Sequence, residues 1–261
     1  MFQLTDVGMA RDGRRILSLP QLAVPTDQLC VVLGHNGSGK STLVGLLAGQ
    51  QTPDAGRITL HGRGLNRLGA RELARAVAFL PQRLPPSVGL TVREIVRLGR
   101  FPWRGTFGRW TAGDARIIDE AMERTGVTRF ADTLADSLSG GERQRAWISM
   151  LLAQQSPVAI LDEPTSALDV HHQYQVMDLL AALNRDHGLG VVVILHDINL
   201  ALRYASHVIA LRQGEVAFQG PADLLLEERA LSALYRSSIR LIDHPAPPRG
   251  TRTCKVAVVC A

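Results

Sequence analysis

Cysteine is scarce in this chain of 261 residues, which holds only Cys30, Cys254 and Cys260. An odd count without metal-like spacing excludes a disulfide framework or a zinc site as the basis of the fold, and it suits a reducing compartment. Aromatic residues make up only 5% of the chain. No apolar stretch approaches the roughly 20 residues of a membrane-spanning helix, and no basic-then-apolar leader opens the sequence. The expectation is a chain that neither crosses a membrane nor is exported. Concentrated Lys/Arg tracts are missing as well. The net charge of +5 comes from 29 basic and 24 acidic residues spread along the chain, which suits nucleotides or anionic surfaces and argues against DNA or RNA as partner. No internal repeat is visible.

What is present is apolar material, 46% of residues, enough to build a sizeable core. The first 33 residues alternate polar and apolar character, broken at Asp12-Gly13 and Pro25-Thr26-Asp27, and predict strands ending in Leu29 to Leu33. Cys30 in that run reads as a buried thiol. A helix is predicted through Leu43, Leu46 and Leu47, stopping near Gly49, and short strands at 57–60 and 76–80. From about Leu84 to Gln155 the pattern turns helical. "VAILDEP" (158–164) and "VVVILHD" (191–197) are wholly apolar runs of the kind found in buried parallel strands. Strands of period two are predicted near 207–218, then a helical stretch and a Pro-rich tail from His244. An α/β core interrupted by a helical insertion results.

Chemistry concentrates in "GHNGSGKST", residues Gly34, His35, Asn36, Gly37, Ser38, Gly39, Lys40, Ser41 and Thr42. It fits G-x-x-x-x-G-K-[ST] between a predicted strand and a predicted helix, the setting in which glycines curl the backbone so that N–H groups cradle β- and γ-phosphates. Lys40 would reach the terminal phosphates and Ser41 would meet Mg²⁺. Asp162 and Glu163 stand at the end of a buried strand, where an open α/β sheet keeps its ligand. Asp162 suits the metal, and Glu163 suits deprotonation of an attacking water. Gln82, after "FLPQ", offers a neutral amide to Mg²⁺ or to the water. His196, after a second buried strand, could contact the γ-phosphate and hold the water against Glu163. "LSGGERQRA" (138–146) is a puzzle beside these: Ser139, Gly140 and Gly141 precede a helix as an anion site would, yet no lysine stands next to them.

Together these residues resemble the ATP-binding subunits of ABC transporters. "GHNGSGKST" looks like their Walker A, Gln82 their Q-loop, "LSGGERQRA" their signature, "VAILDEP" their Walker B, "SALD" (166–169) their D-loop and His196 their switch histidine. The resemblance implies a P-loop NTPase core of RecA-like type with a mainly parallel sheet, an N-terminal antiparallel β-subdomain and an inserted helical subdomain. It divides the chain into an ATPase core at 1–84 and 156–243, a helical signature subdomain at 85–155 and a tail at 244–261. It further implies ATP and Mg²⁺ as ligands and Glu163, His196 and Lys40 as catalytic groups, with Ser41, Gln82 and Asp162 around the metal. The family works as a head-to-tail dimer, so Ser139, Gly140, Gly141, Glu142 and Asp169 would face the nucleotide held by a second copy. The missing lysine of the signature loop would then be Lys40 of the other subunit. The 82–139 gap is too short for the coiled-coil arms of related DNA-repair ATPases.

Residues 80–114 are similar to those of importers of iron siderophores, the ferric-hydroxamate type above all; importers of vitamin B12 and haem stay open, as does a soluble ATPase acting on nucleic acid. Expected partners are transmembrane permease subunits and, through them, a siderophore-binding protein, with the chain on the cytoplasmic face of the inner membrane. The cluster Phe101/Trp103/Phe107/Trp110 suits either a permease-docking surface or the core of the insertion. Two departures from the family stand out. Met9 occupies the position of an adenine-stacking aromatic, with Arg11 as a substitute cover for the ring. The final "TRTCKVAVVCA" suits an appended strand, with a redox or metal role for Cys254 and Cys260 not expected.

Overall fold

The computed structural model describes residues 1–105, 108–225, 227–235, 237–244 and 255–260. Phe107 and Cys254 lie outside the described residues. The chain opens with strands β1 (Phe2–Arg11) and β2 (Arg14–Val24), turned at Gly13, followed by β3 (Leu29–Gly34) and helix α1 (Lys40–Leu47). Strands β4 (Ala55–Leu60) and β5 (Arg63–Gly64), helix α2 (Ala70–Ala76) and strand β6 (Val77–Leu80) come next. The middle is helical: α3 (Val92–Leu98), α4 (Phe101–Arg104), α5 (Ala112–Arg124) and α6 (Gly140–Ala153). Then follow β7 (Val158–Leu161), α7 (Val170–His187), β8 (Gly190–Ile194), α8 (Ile198–Tyr204), β9 (His207–Arg212), β10 (Glu215–Pro221), α9 (Glu228–Tyr235), β11 (Ser238–Asp243) and β12 (Lys255–Cys260).

The central sheet has the order β10-β9-β3-β8-β7-β6, parallel throughout except for β10, which pairs antiparallel with β9 at the edge. A second sheet, β2-β1-β4-β5, is antiparallel. Alternation along β3 explains the layering. Leu29, Val31 and Leu33 point into a core shared with α6, α7 and α8, while Cys30 and Val32 point into a core built by α1 and the antiparallel sheet. With both faces covered, the parallel strands are apolar throughout, as their sequences required. β9 departs from its expected period of two for the same reason: Val208 and Ala210 enter one core and Ile209 and Leu211 the other, so all four are buried. Burial pushes the Cys30 thiol far above its usual range.

The helical stretch has its own core around Val92, Val96, Ile118 and Met122. Ile95 of α3 and Trp147, Ile148 and Leu151 of α6 join it to the core beneath the sheet, and a buried polar cluster ties its own helices together. Asp114, fully buried, receives Arg100 Nε at 3.0 Å and pairs with Arg104 at 2.7 Å. Burial pushes its carboxyl up, but the bonds from Arg104, Thr111 and Arg100 together outweigh that and hold it well below the usual carboxylate range. Arg100 also donates to the Ala153 carbonyl and Arg75 of α2 to that of Pro102. Of the two readings of the aromatic cluster, core packing does not hold for Phe101, Trp103 and Trp110, which are exposed, Trp103 beneath the guanidinium of Arg75 and Trp110 beneath that of Arg97. At the other end of the chain, the appended strand is present as β12, antiparallel to β11.

Candidate functional site

The register of the parallel sheet brings the chemistry together. Leu80 of β6, Leu161 of β7 and Val193 of β8 lie in one row, and Val31 of β3 pairs with Val193. Gln82, Asp162, Glu163, His196 and the 34–42 loop therefore all emerge within a few residues of that row, at the carboxyl ends of adjacent strands. The loop is shaped by glycine at φ 147° (Gly34), 77° (Gly37) and 100° (Gly39). A Cβ on Gly34 would strike the Leu211 carbonyl and the Ser38 hydroxyl, so only glycine lets the loop leave the strand this closely packed. Ser38 Oγ is buried without a partner among the described residues. Helix α1 starts at Gly39 with no side-chain cap, leaving its first N–H groups open.

Lys40 Nζ donates to the carbonyls of Gly34 (2.9 Å) and His35 (3.1 Å), folded back along the loop it serves. Burial lowers its pKa, against the charges of Glu163 and Asp162. Ser41 Oγ donates to Asp162 Oδ1 at 3.2 Å. Burial raises the Asp162 carboxyl, and the Ser41 bond only partly offsets it. Glu163 is held from both sides. His196 Nε2 lies 2.6 Å from Oε1, and Gln82 Nε2 lies 2.5 Å from Oε2. Its backbone sits at φ 49°, a left-handed conformation that costs a non-glycine residue roughly 1–3 kcal/mol and is found where the surroundings enforce it. Ser166 does so, donating from Oγ (3.1 Å) and from its backbone N–H to the Glu163 carbonyl.

Gln82, Glu163, His196, Lys40 and Ser41 line one cavity of about 450 Å³ with Asn36, Gly37, Gly39 and Thr42. Ile16, which sequence reasoning did not pick out, also lines it, with no motif to betray it. Met9 packs instead at the edge of the core beneath the antiparallel sheet, paired with Leu17 across β1 and β2. Ser139, Gly141, Glu142 and Asp169 do not line this cavity. Gly140 borders a neighbouring cavity of about 430 Å³ that also touches Gln82 and Glu163.

The signature segment is occupied with itself. Ser139 caps α6: its hydroxyl accepts from Glu142 N, while the Glu142 carboxylate accepts from Ser139 N (3.0 Å) and Oγ (2.7 Å). Behind it, a Cβ on Gly141 would collide with the ring of His172, whose Nδ1 lies 2.9 Å from the Asp169 carboxylate. Asp169 caps α7 by accepting from His172 N at 2.9 Å. His172 thus joins the 138–142 turn to the 166–169 turn, a link legible only as a D-x-x-H cap.

A phosphate loop at the end of β3 and paired acidic residues at the end of β7, under one cavity, narrow the chain to nucleotide hydrolases. Residues 17–166 match the family model described as ABC transporter. The chain belongs to the ABC transporter family. Its part in that family is to bind and hydrolyse ATP. Among similar proteins are the ferric enterobactin transport ATP-binding protein of Escherichia coli K12, 40% identical over 85% of this chain and 82% of the relative. The iron(3+)-hydroxamate import ATP-binding protein of Bacillus subtilis 168 is 35% identical over 92% and 89%. The hemin import ATP-binding protein of Rhodococcus jostii RHA1 is 39% identical over 92% and 81%. Of solved structures, an inward-facing conformation of a metal-chelate type ABC transporter superposes with a TM-score of 0.83 at 26% identity, over 100% of this chain and 97% of that one. A dimeric post-hydrolysis cassette bound to ADP and Pi gives 0.74 at 29%, over 85% and 99%.

Proposed function

We propose that this chain drives import of a ferric siderophore, as a head-to-tail dimer beneath a permease on the cytoplasmic face of the plasma membrane. The observation that carries the ATPase site is the Glu163 carboxylate, held between His196 and Gln82 beside the phosphate loop. In this reading the N–H groups of Gly34 to Thr42 and the Lys40 ammonium bind the phosphates, and Glu163 takes the proton of the attacking water as the water oxygen bonds to the γ-phosphorus and the bond from that phosphorus to the bridging oxygen breaks, releasing ADP. His196 orients that water and the γ-phosphate. Ser41, Asp162 and Gln82 offer hydroxyl, carboxylate and amide oxygens, a set that fits Mg²⁺ arriving with phosphates and water. Bound there, Mg²⁺ would neutralise charge on the β- and γ-phosphates. Burial disfavours the charge of the Asp162 carboxylate, a cost that a bound cation would relieve.

The signature turn, lacking its own lysine, would meet the phosphates on a second copy through Ser139, Gly140, Gly141 and Glu142, with Asp169 at the seam. Residues 1–84 and 156–243 would form the ATPase core, 85–155 the helical signature subdomain and 244–261 the tail. Exposed Leu98, Phe101, Trp103 and Trp110 on the helical part suit a permease surface. The enterobactin and hydroxamate relatives support siderophores as cargo, delivered by a binding protein outside; the hemin relative makes haem the second reading.

Glu163→Gln is the direct test. It should keep nucleotide binding, cut phosphate release at least about 100-fold and accumulate ATP-bound dimer. Turnover at the wild-type rate would remove Glu163 from the base's role. Uptake by the reconstituted permease complex of a ferric hydroxamate, a ferric catecholate and haem would then separate the cargoes.

A further inference from the structure

Among the described residues, His35 is the one residue of the phosphate loop whose side chain reaches out of the loop to a distant helix. Its Nε2 lies 3.1 Å from the carbonyl of Leu234, 199 positions along the chain, and its ring meets that of Tyr235 edge-on at 5.7 Å. Leu234 and Tyr235 end α9. The last four carbonyls of a helix have no partner within it, and the helix C-terminus favours a donor or a cation. An imidazole N–H supplies the donor. The same residue's backbone carbonyl accepts from Ser38 N at 3.1 Å and from Lys40 Nζ at 3.1 Å. Fixing the ring on α9 therefore fixes the carbonyl on which the loop's own turn and the lysine both rest.

The C-terminal segment is fastened on the other side too. β11 is held to α9 by Ile239 N donating to Ser232 Oγ (2.9 Å) and Leu241 N to Glu228 Oε1 (2.8 Å). Its partner β12 is held to α8 by Asn199, which donates to the Ala257 carbonyl (3.2 Å) and accepts from Ala257 N (2.8 Å). α8 begins at the Asp197 cap, next to His196. The tyrosine end of α9 lies in the same place: burial and the Asp197 charge push the Tyr235 hydroxyl up to about 12.

We infer that His35 is a positioning residue, which anchors the phosphate loop to the C-terminal end of α9 and so makes the grip on nucleotide depend on the C-terminal segment. The inference rests on the reading of 34–42 as the phosphate site, and it adds a regulatory handle: whatever displaces α9 loosens ATP.

The test compares dissociation constants of a fluorescent ADP and the melting temperatures of five variants of the full chain, one of them the double variant His35→Ala/Tyr235→Ala. His35→Ala should weaken binding about fivefold, the scale of one lost hydrogen bond, with melting within a few degrees of wild type. His35→Gln, whose amide keeps an N–H donor, should regain most of that. Tyr235→Ala removes the ring that braces His35 and should weaken binding by itself, but it should add little in the double variant His35→Ala/Tyr235→Ala, since His35→Ala has already removed that ring contact. Lys40→Ala is the control for the site. Loss of binding in Lys40→Ala with His35→Ala unchanged would overturn the anchor and leave the site standing. Equal weakening in His35→Ala and His35→Gln would also overturn it, because the donor would then not matter. No effect of Lys40→Ala would overturn the phosphate-site reading, and the anchor with it. Should His35→Ala fail to fold, His35→Gln against Tyr235→Ala gives the same decision: Gln near wild type with Tyr235→Ala weakened supports the anchor, and any other pairing rejects it.

Discussion

Helices α1 and α6 both carry glycine at their N-terminal ends, and they treat their first N–H groups in opposite ways. Helix α1 starts at Gly39, in a left-handed conformation, with no cap and no acid in its first turn. Helix α6 starts at Ser139, inside a complete capping box whose acid, Glu142, stands in the first turn. The Glu142 carboxyl is held below its ordinary range, chiefly by its bonds to Ser139. The first terminus is an open anion site with a lysine folded over it. The second is satisfied by its own residues, so an arriving phosphate must compete with Glu142. On the proposed reading, local chemistry separates a half-site that would bind nucleotide alone from a half-site that would engage only when another surface presses the ligand onto it.

The comparison also extends to stability. At α1, burial lowers Lys40 and raises Asp162, so both groups carry their charge at a cost that ligand would relieve. Asp162→Asn should have the largest effect, lowering turnover about 100- to 1000-fold by removing a charge aimed at the metal and phosphates. Its stability should move the other way. A carboxyl raised in the folded state is destabilising above its unfolded pKa of about 4. The nucleotide-free variant should therefore melt at or above wild type at pH 7, with the advantage vanishing in acid. A variant that melts lower at pH 7 would contradict that sign.

Gly39→Ala comes next. A Cβ at φ 100° would sit 2.5 Å from Leu17 Cδ2 and 3.0 Å from the Ile16 carbonyl. Loss of about 1–3 kcal/mol is expected in denaturant titration, with nucleotide affinity falling at least about tenfold. Ser139→Ala should do least when the isolated chain is unfolded, about 1 kcal/mol for the lost cap, and leave nucleotide binding by the isolated chain unchanged. If it weakened that binding as Gly39→Ala does, the contrast between the two termini would fail.

How much of this was legible beforehand depended on distance in sequence. The phosphate loop, the acidic pair and the apolar strands are written in contiguous residues, since backbone shape and burial on both faces dictate their composition locally. α2 went unread because none of its residues is buried, leaving no apolar period to see. The choice between surface and core for Trp103 and Trp110 stayed open because aromatic residues at helical spacing look the same whether they face a core or arginines on a surface. Nothing local told of the left-handed Glu163, which Ser166 and the flanking His196 and Gln82 enforce, or of the contact from His35 to Leu234. Composition can show that a histidine is present, but only packing shows what it holds.

The central claim is that two complementary half-sites, each incomplete alone, make one ATPase. Its most direct test mixes Ser139→Arg chains with Lys40→Ala chains and measures phosphate release per dimer. Each variant alone should be inactive. The mixture should recover activity, because heterodimers pair the intact phosphate loop of one chain with the intact signature turn of the other. Heterodimers that form yet release no phosphate above either parent would contradict the account.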